Sequence, residues 1–337
     1  MFGIERFKND IVFGDKCFIC GADPKSKAFN GEHILSDWIL REFGLHRRQI
    51  TLPNLTGFKY SEYRIPCCKD CNSLMGNYFE VPISEAAKGG MKTFAPFCKK
   101  VGFNYIFNWL ALTFIKTHLK DAQLRAERDR RKGDDSIGGK YYEFETLHHV
   151  HCIARSFFTK AKWEPNVTGS LYIGPAKVFD GIESFDFADN YLAKTILLRM
   201  HDFFLLAVFN DSGGAMSHMN PNYLSKITEG LTLLQMRELF VRFSHCNLSI
   251  ESRPTFHSGF DSKAHYEITV KRPADLTFKE FDGRMFGEMM WHFCGPTLNA
   301  LGGVSPEQER LIKQGIVSYI LDEKRIFKTD SIVIVKS

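Results

Sequence analysis

The 337-residue chain has no run approaching eighteen uncharged apolar residues, so it lacks the stretch a membrane-spanning helix needs. It has no internal repeat, and its balance of hydrophobic and charged residues excludes disorder and collagen-like architectures. Its opening residues, Met1-Phe2-Gly3-Ile4-Glu5-Arg6, carry neither the apolar stretch nor the small-residue cleavage site of a signal peptide. The expectation is a soluble cytoplasmic protein with no membrane partner. A disulfide framework is missing too. Nine cysteines is an odd count, five of them (Cys17, Cys20, Cys67, Cys68 and Cys71) crowd into one short region, and Cys98, Cys152, Cys246 and Cys294 are scattered singly. That distribution fits a reducing compartment and one metal site.

What is present is ordinary globular composition, 44% hydrophobic and 25% charged, in a chain long enough for two domains. The net charge of +5 is small but unevenly spread. Residues 1–132 hold 22 Lys and Arg against 14 Asp and Glu, and the remainder hold 22 against 25. The positive field therefore belongs to the half that carries the clustered cysteines, as in a polyanion-binding unit.

Turn signals punctuate the first 66 residues, at Gly21-Ala22-Asp23-Pro24, Asn30-Gly31 and Leu52–Gly57. Ile34, Leu35, Trp38, Ile39 and Phe43 recur at helical spacing and stop at Gly44, so a short helix follows His33. A second helix is expected from Asn72 to Glu80, broken before Pro82. From Phe107 to Ala122 an apolar stripe predicts a long helix, continued by the charged tail Arg125–Lys132 and linking two domains. Beyond Gly133 the composition predicts strands at His149–Phe157, Ser170–Ile173, Phe203–Phe209, Asn247–Glu251, His265–Val270 and Ser331–Val335. Helices are expected at Tyr223–Phe243 and Leu311–Leu321, the latter opened by a capping box at Ser305 and Gln308. The fold class is α+β: a module over residues 1–100, a linking helix over 101–132, and a larger α+β domain over 133–337.

Chemistry concentrates in the first eighty residues. Cys17 and Cys20 form one C-x2-C, and Cys68 and Cys71 form another after 47 intervening residues. Two such pairs supply four soft thiolates for tetrahedral zinc, and chance alone yields only about a quarter of one pair at this cysteine content. Cys67 is read as a spare buried thiol. Between the pairs lies Glu32-His33, and the second pair runs straight into Asn72. An imidazole suits a general base near neutral pH, and Glu32 and Asn72 offer oxygens to a hard cation. His148, His149 and His151 lack the spacing of a metal motif, and Asn210–Gly214 lacks the lysine of a phosphate loop, so both are read as structural.

These residues resemble the HNH, or ββα-metal, endonucleases of treble-clef fold, in the zinc-containing branch where C-x2-C pairs flank the site. The run Glu32–Leu40 is also similar to the corresponding run of bacterial and prophage HNH proteins. The resemblance covers about residues 15–82. It implies structural Zn2+ at Cys17, Cys20, Cys68 and Cys71, a general base at His33, and Mg2+ or Mn2+ held by Glu32 and Asn72. It further implies a loop asparagine orienting the histidine, for which Asn54 is the first choice and Asn30 the second. Glu32 stands where Asp is commoner, Ser36 where proline is usual, and Asn72 where His is common. DNA is the expected substrate. A homodimer, and a regulatory protein partner such as an ATPase acting on a gated anti-phage effector, are further expectations. The competing expectation is a catalytically silent zinc module that docks DNA or a protein.

Overall fold

In the computed structural model, which describes residues 3–127 and 129–329, the strand β1 (Phe29–His33) is bracketed by tight turns. Two short strands, β2 (Gln49–Thr51) and β3 (Gly57–Lys59), form a separate hairpin, and β4 (Arg64–Cys68) returns antiparallel to β1 with Phe29 opposite Cys68 and His33 opposite Arg64. The Asn30-Gly31 turn signal thus falls inside β1, where Gly31 lies flat against the Arg64 side chain. The helix Lys69–Met75 leaves β4 directly, giving a ββα arrangement.

That helix does not break before Pro82. It continues through a π-helical turn, Gly76–Glu80, into Val81–Ala87, with Pro82 in the first turn of the last segment. A proline within a helix denies a hydrogen bond to the carbonyl four residues back, which here is Tyr78, and the Tyr105 hydroxyl donates to that carbonyl instead.

The chain divides into two compact units, residues 1–167 with 256–269 and residues 168–255 with 270–337. The division falls beyond residue 133, so the expected boundary is displaced. The expected linking helix is Phe103–Asp121, and it lies in the core of the first unit, buried on all sides from Ile106 to Leu119. A helix buried all round has no solvated face to present as a linker. Its charged continuation does not prolong the helix, and among the described residues only Arg130–Lys132 forms a separate 3-10 turn. The chain turns at Ala122, and the backbone pairs Ala126 with Asp135 and Ile137 with Leu124.

Residues 148–159 form a helix, His148–Thr159, and not the expected strand. Val150, Ile153, Ala154 and Phe157 make a stripe at helical spacing and are buried, which outweighs the aromatic and β-branched content that suggested a strand. Asn108 of the core helix donates to Ile153 O at 3.1 Å and to Ser156 Oγ at 2.6 Å, locking the two helices together. Lys162–Trp163, Tyr266–Lys271 and Thr255–Phe260 form a three-stranded sheet.

The second unit is built on an antiparallel sheet ordered Leu171–Pro175, Phe203–Val208, Thr195–Met200, Phe185–Asn190. Both central strands are buried at every position. Helices Leu233–Leu248 and Gly283–Ala300 complete its core through Phe240, Phe243, Phe286 and Met290. The first begins only at the Thr232/Gln235 capping box, after Gly230, so the expected Tyr223 start is too early. Asn247 and its neighbours end this helix and form no strand. The Ser305/Gln308 capping box is present, but its helix, Pro306–Lys313, stops short of Leu321 beside Gly315 in a left-handed conformation. Asp211 accepts from Ser170, Gly213 and Ala215, which makes Asn210–Gly214 the tight turn expected. Ser331–Val335 lies outside the described residues.

Candidate metal and catalytic site

Cys17 and Cys20 sit on a knuckle closed by Gly21 N to Cys17 O (2.8 Å) and Cys17 N to Ala22 O (3.0 Å), with Gly21 at φ 75°. A side chain at that φ would be strained, so the glycine suits the turn. Cys68 ends β4 and Cys71 lies in the first turn of the following helix. The four sulfurs lie within 4.8 Å of one another, and Cys20 Sγ is 3.6 Å from Cys68 Sγ. Zinc–sulfur bonds of about 2.3 Å in a tetrahedron place sulfurs about 3.8 Å apart. The donor set therefore fits a structural zinc ion, and all nine cysteines are free thiols.

Cys67 is not remote from the cluster: its buried sulfur is 3.8 Å from Cys17 Sγ. Hydrogen bonds from Cys67 and Cys71 hold the Cys17 thiol far below its ordinary range, and the same contacts push Cys67 and Cys71 up. Two residues of the His148–Thr159 helix grip the knuckle backbone. His151 Nε2 is 2.7 Å from Phe18 O, and Arg155 Nε donates to Ile19 O. Both are buried, and burial lowers both pKa values. No local sequence signal reveals them, because more than 130 residues separate each from its partner.

Glu32 and His33 end β1 and point into different surroundings. Glu32 is buried and accepts from Lys116 Nζ at 2.6 Å. The same ammonium donates to His33 O at 2.7 Å, which ties the end of β1 to the core helix. Ser36, the N-cap of Asp37–Glu42, makes no capping bond and donates to Glu80 Oε1 at 2.8 Å. Burial holds the Glu80 carboxyl above its usual range, against the pull of Lys116.

His33 Nε2 is buried and has no hydrogen-bond partner. It lies 3.9 Å from Asp37 Oδ1, and the same oxygen is 3.0 Å from His46 Nε2. Gly44, left-handed at φ 61°, ends the Asp37–Glu42 helix and lets Leu45–Arg47 fold His46 back against its first residue. Side-chain exposure rises from 14% at His33 through 30% at Asp37 to 38% at His46, which describes a mouth open to solvent. Arg41 pairs with the other Asp37 oxygen, and Arg64 faces His33 across the strand pair. Burial first, then the Arg64 charge, lowers the His33 pKa below its ordinary value, while Asp37 and Glu32 pull more weakly the other way. Burial opposes ionisation of Asp37, but its His46 hydrogen bond and the Arg41 cation leave its pKa lowered.

The other expected site residues are engaged elsewhere. Asn72 Nδ2 donates to Asn30 Oδ1 at 2.9 Å. Asn54 Oδ1 accepts from Thr56 N and Oγ1, and its Nδ2 donates to Arg125 O at 2.9 Å. Both ends of the Asn54 amide are used, one in its own turn and the other on the distant Arg125 backbone, so it does not orient His33. Lys116 already neutralises the buried Glu32 carboxylate, which weakens its draw on a divalent cation. Among the described residues, the four cysteines are the only group of three or more convergent Cys, His, Asp or Glu ligands. No helix there is long and apolar enough to cross a membrane. No family model matches the chain, nor does any curated protein or solved structure.

Proposed function

We propose that the chain is a zinc-stabilised endonuclease of the HNH type that hydrolyses DNA phosphodiesters at the His33 mouth. One observation carries the reading: the His33 imidazole nitrogen is buried without a hydrogen-bond partner, with Asp37 Oδ1 3.9 Å away and Arg64 opposite it on the paired strand. A buried polar atom without a protein partner calls for a water or a ligand, and beside the partly exposed Asp37 and His46 either can reach it. His33 Nε2 takes a proton from the attacking water, and its lowered pKa keeps it neutral and able to do so at pH 7. Arg64 and Arg41 meet the phosphate charge. Lys116 holds His33 in place through its carbonyl, so Glu32 contributes by fixing Lys116. A bound Mg2+ or Mn2+ would supply Lewis-acid stabilisation of the phosphate and the leaving 3′ oxygen.

The test is plasmid nicking by the purified full chain with Mg2+ or Mn2+ and with EDTA, beside His33→Ala. Replacing a general base costs about 10²–10⁴ in rate, so nicking should fall at least a hundredfold with zinc content unchanged. Wild-type nicking should rise with pH through a midpoint below 6.5 and level off by pH 7, because only the neutral imidazole accepts the proton. Nicking retained in His33→Ala sinks the mechanism. A second reading, a silent zinc module that docks DNA or protein, draws on the Lys116–Glu32 pair, which removes the expected cation ligand. It predicts salt-sensitive binding with no strand breaks under any metal.

A further inference from the structure

We propose that the second unit carries a binding site for a small planar aromatic ligand with one acidic group, in a cavity of about 220 Å3 beside the last two turns of the Leu233–Leu248 helix. None of its residues belongs to the His33 mouth, so it does not depend on the hydrolytic reading. Three segments build it. The Leu233–Leu248 helix supplies Arg242 and His245, the Gly214–Asn222 helix supplies His218, and the chain entering the Gly283–Ala300 helix supplies Phe278, Lys279 and Phe281. Backbone contacts fix that last segment: Ile250 bridges to Phe278, and Lys279 N donates to Ser249 O at 2.8 Å.

The walls are aromatic. The His218 ring lies 4.8 Å from Phe278, and the His245 ring lies 4.9 Å from Phe281, itself 5.4 Å from Phe286. Phe281 stands just before the N-cap Asp282 and meets Phe286, four positions beyond the cap, in the contact of a hydrophobic staple. The staple fixes the ring without burying it, since Phe281 stays 62% exposed. A flat ring in the cavity covers that face, and aromatic pairs at such separations gain beyond the area they bury.

Charge selects the acid. Arg242 lies over the Tyr223 and Phe286 rings, 4.2 and 4.7 Å from their centres, and donates to Glu238 Oε1 at 2.7 Å, so its charge is balanced from behind the lining. Glu238 is held there by Ser318 Oγ at 2.7 Å and Ile320 N at 3.0 Å. Among the described residues no Asp or Glu lines the cavity, which leaves the exposed Lys279 ammonium without an acidic partner in it. His245 adds no charge at pH 7: its Nε2 donates to Asp282 O at 3.2 Å, and burial lowers its pKa. Sites for drug-sized ligands measure about 300–1,000 Å3, so the occupant here is smaller, one ring system with its carboxylate.

The probe is indole-3-carboxylate, titrated into the zinc-loaded full chain by isothermal calorimetry beside indole, which lacks the charge, and cyclohexanecarboxylate, which lacks the flat ring. Indole-3-carboxylate should bind once per chain and about fivefold tighter than either, the worth of one exposed charge pair or one aromatic contact. Lys279→Ala should remove the preference over indole, and Lys279→Arg should restore it. Phe281→Ala should weaken indole and its carboxylate alike, by about fivefold. Arg284→Ala, at an exposed cation outside this lining, should change nothing. The three replaced side chains are all exposed, and circular dichroism checks that each variant folds. No saturable binding by wild type overturns the site, as does equal affinity for indole and its carboxylate, or affinity unchanged in both Lys279→Ala and Phe281→Ala. Strand cleavage plays no part in the readout, so the site stands or falls separately from the nuclease reading.

Discussion

Lys116 is the residue on which the candidate site turns. It lies on a helix buried on all sides from Ile106 to Leu119, and a lysine there is destabilising unless paired. Its two acceptors, Glu32 Oε1 and His33 O, sit more than 80 residues earlier in the chain. The dipeptide Glu32-His33 was legible as a site from sequence, but its partner was not, because nothing local couples residues that far apart. Lys116→Met removes the ammonium and keeps most of the volume, leaving the Glu32 carboxylate buried and uncompensated. Breaking one side of a buried pair costs about 3–5 kcal/mol. The denaturation midpoint of the first unit should fall accordingly, and Lys116→Met combined with Glu32→Gln should recover much of the loss. If the double variant is as unstable as the single, the charge imbalance is not the cause.

At the scale of elements, the zinc knuckle and the ββα arrangement depend on each other. Cys17 and Cys20 come from a knuckle that buries Phe18 and Ile19 and is held by His151 and Arg155, Cys68 and Cys71 come from the strand-to-helix junction, and a shared ion would cross-link the two. Structural zinc binding is coupled to folding. Cys68→Ser should release the zinc, about one ion per chain by mass spectrometry, and lower or erase the first unit's thermal transition. The second unit's sheet, which draws no residue from the cluster, should keep its own transition. A Cys68→Ser chain with an unchanged first transition would count against the structural metal.

The cysteine pairs were readable because ligand spacing is a local signal, as were the capping box at Ser305 and the helix stop at Gly44. The helix His148–Thr159 was misread because its aromatic and β-branched content imitates a strand, and its grip on the knuckle through His151 and Arg155 exists only in three dimensions. Asp37 and His46 were equally invisible as a pair. Nine residues separate them, and it takes the left-handed turn at Gly44 to bring the second back onto the first.

For the molecule as a whole, the relevant quantity is where the charge lies. The excess of Lys and Arg falls in the first 132 residues, and three exposed arginines, Arg41, Arg47 and Arg64, belong to the segments that form or flank the His33 mouth. If these three contact phosphates, each releases counterions on binding duplex DNA. The slope of log K against log salt is then about −2.7, at −0.9 per contact, so raising salt from 50 to 200 mM weakens binding about 40-fold. Arg47→Ala should reduce the slope by about one contact and weaken binding to every sequence alike, since a phosphate contact carries no base readout. Fluorescence anisotropy of a labelled duplex across a salt series, in EDTA so that no cleavage intervenes, measures this directly. A slope near zero would mean that the positive half does not face DNA. A slope well beyond three contacts would draw in further cations, such as Arg131 and Lys132, which are exposed on the 3-10 turn Arg130–Lys132.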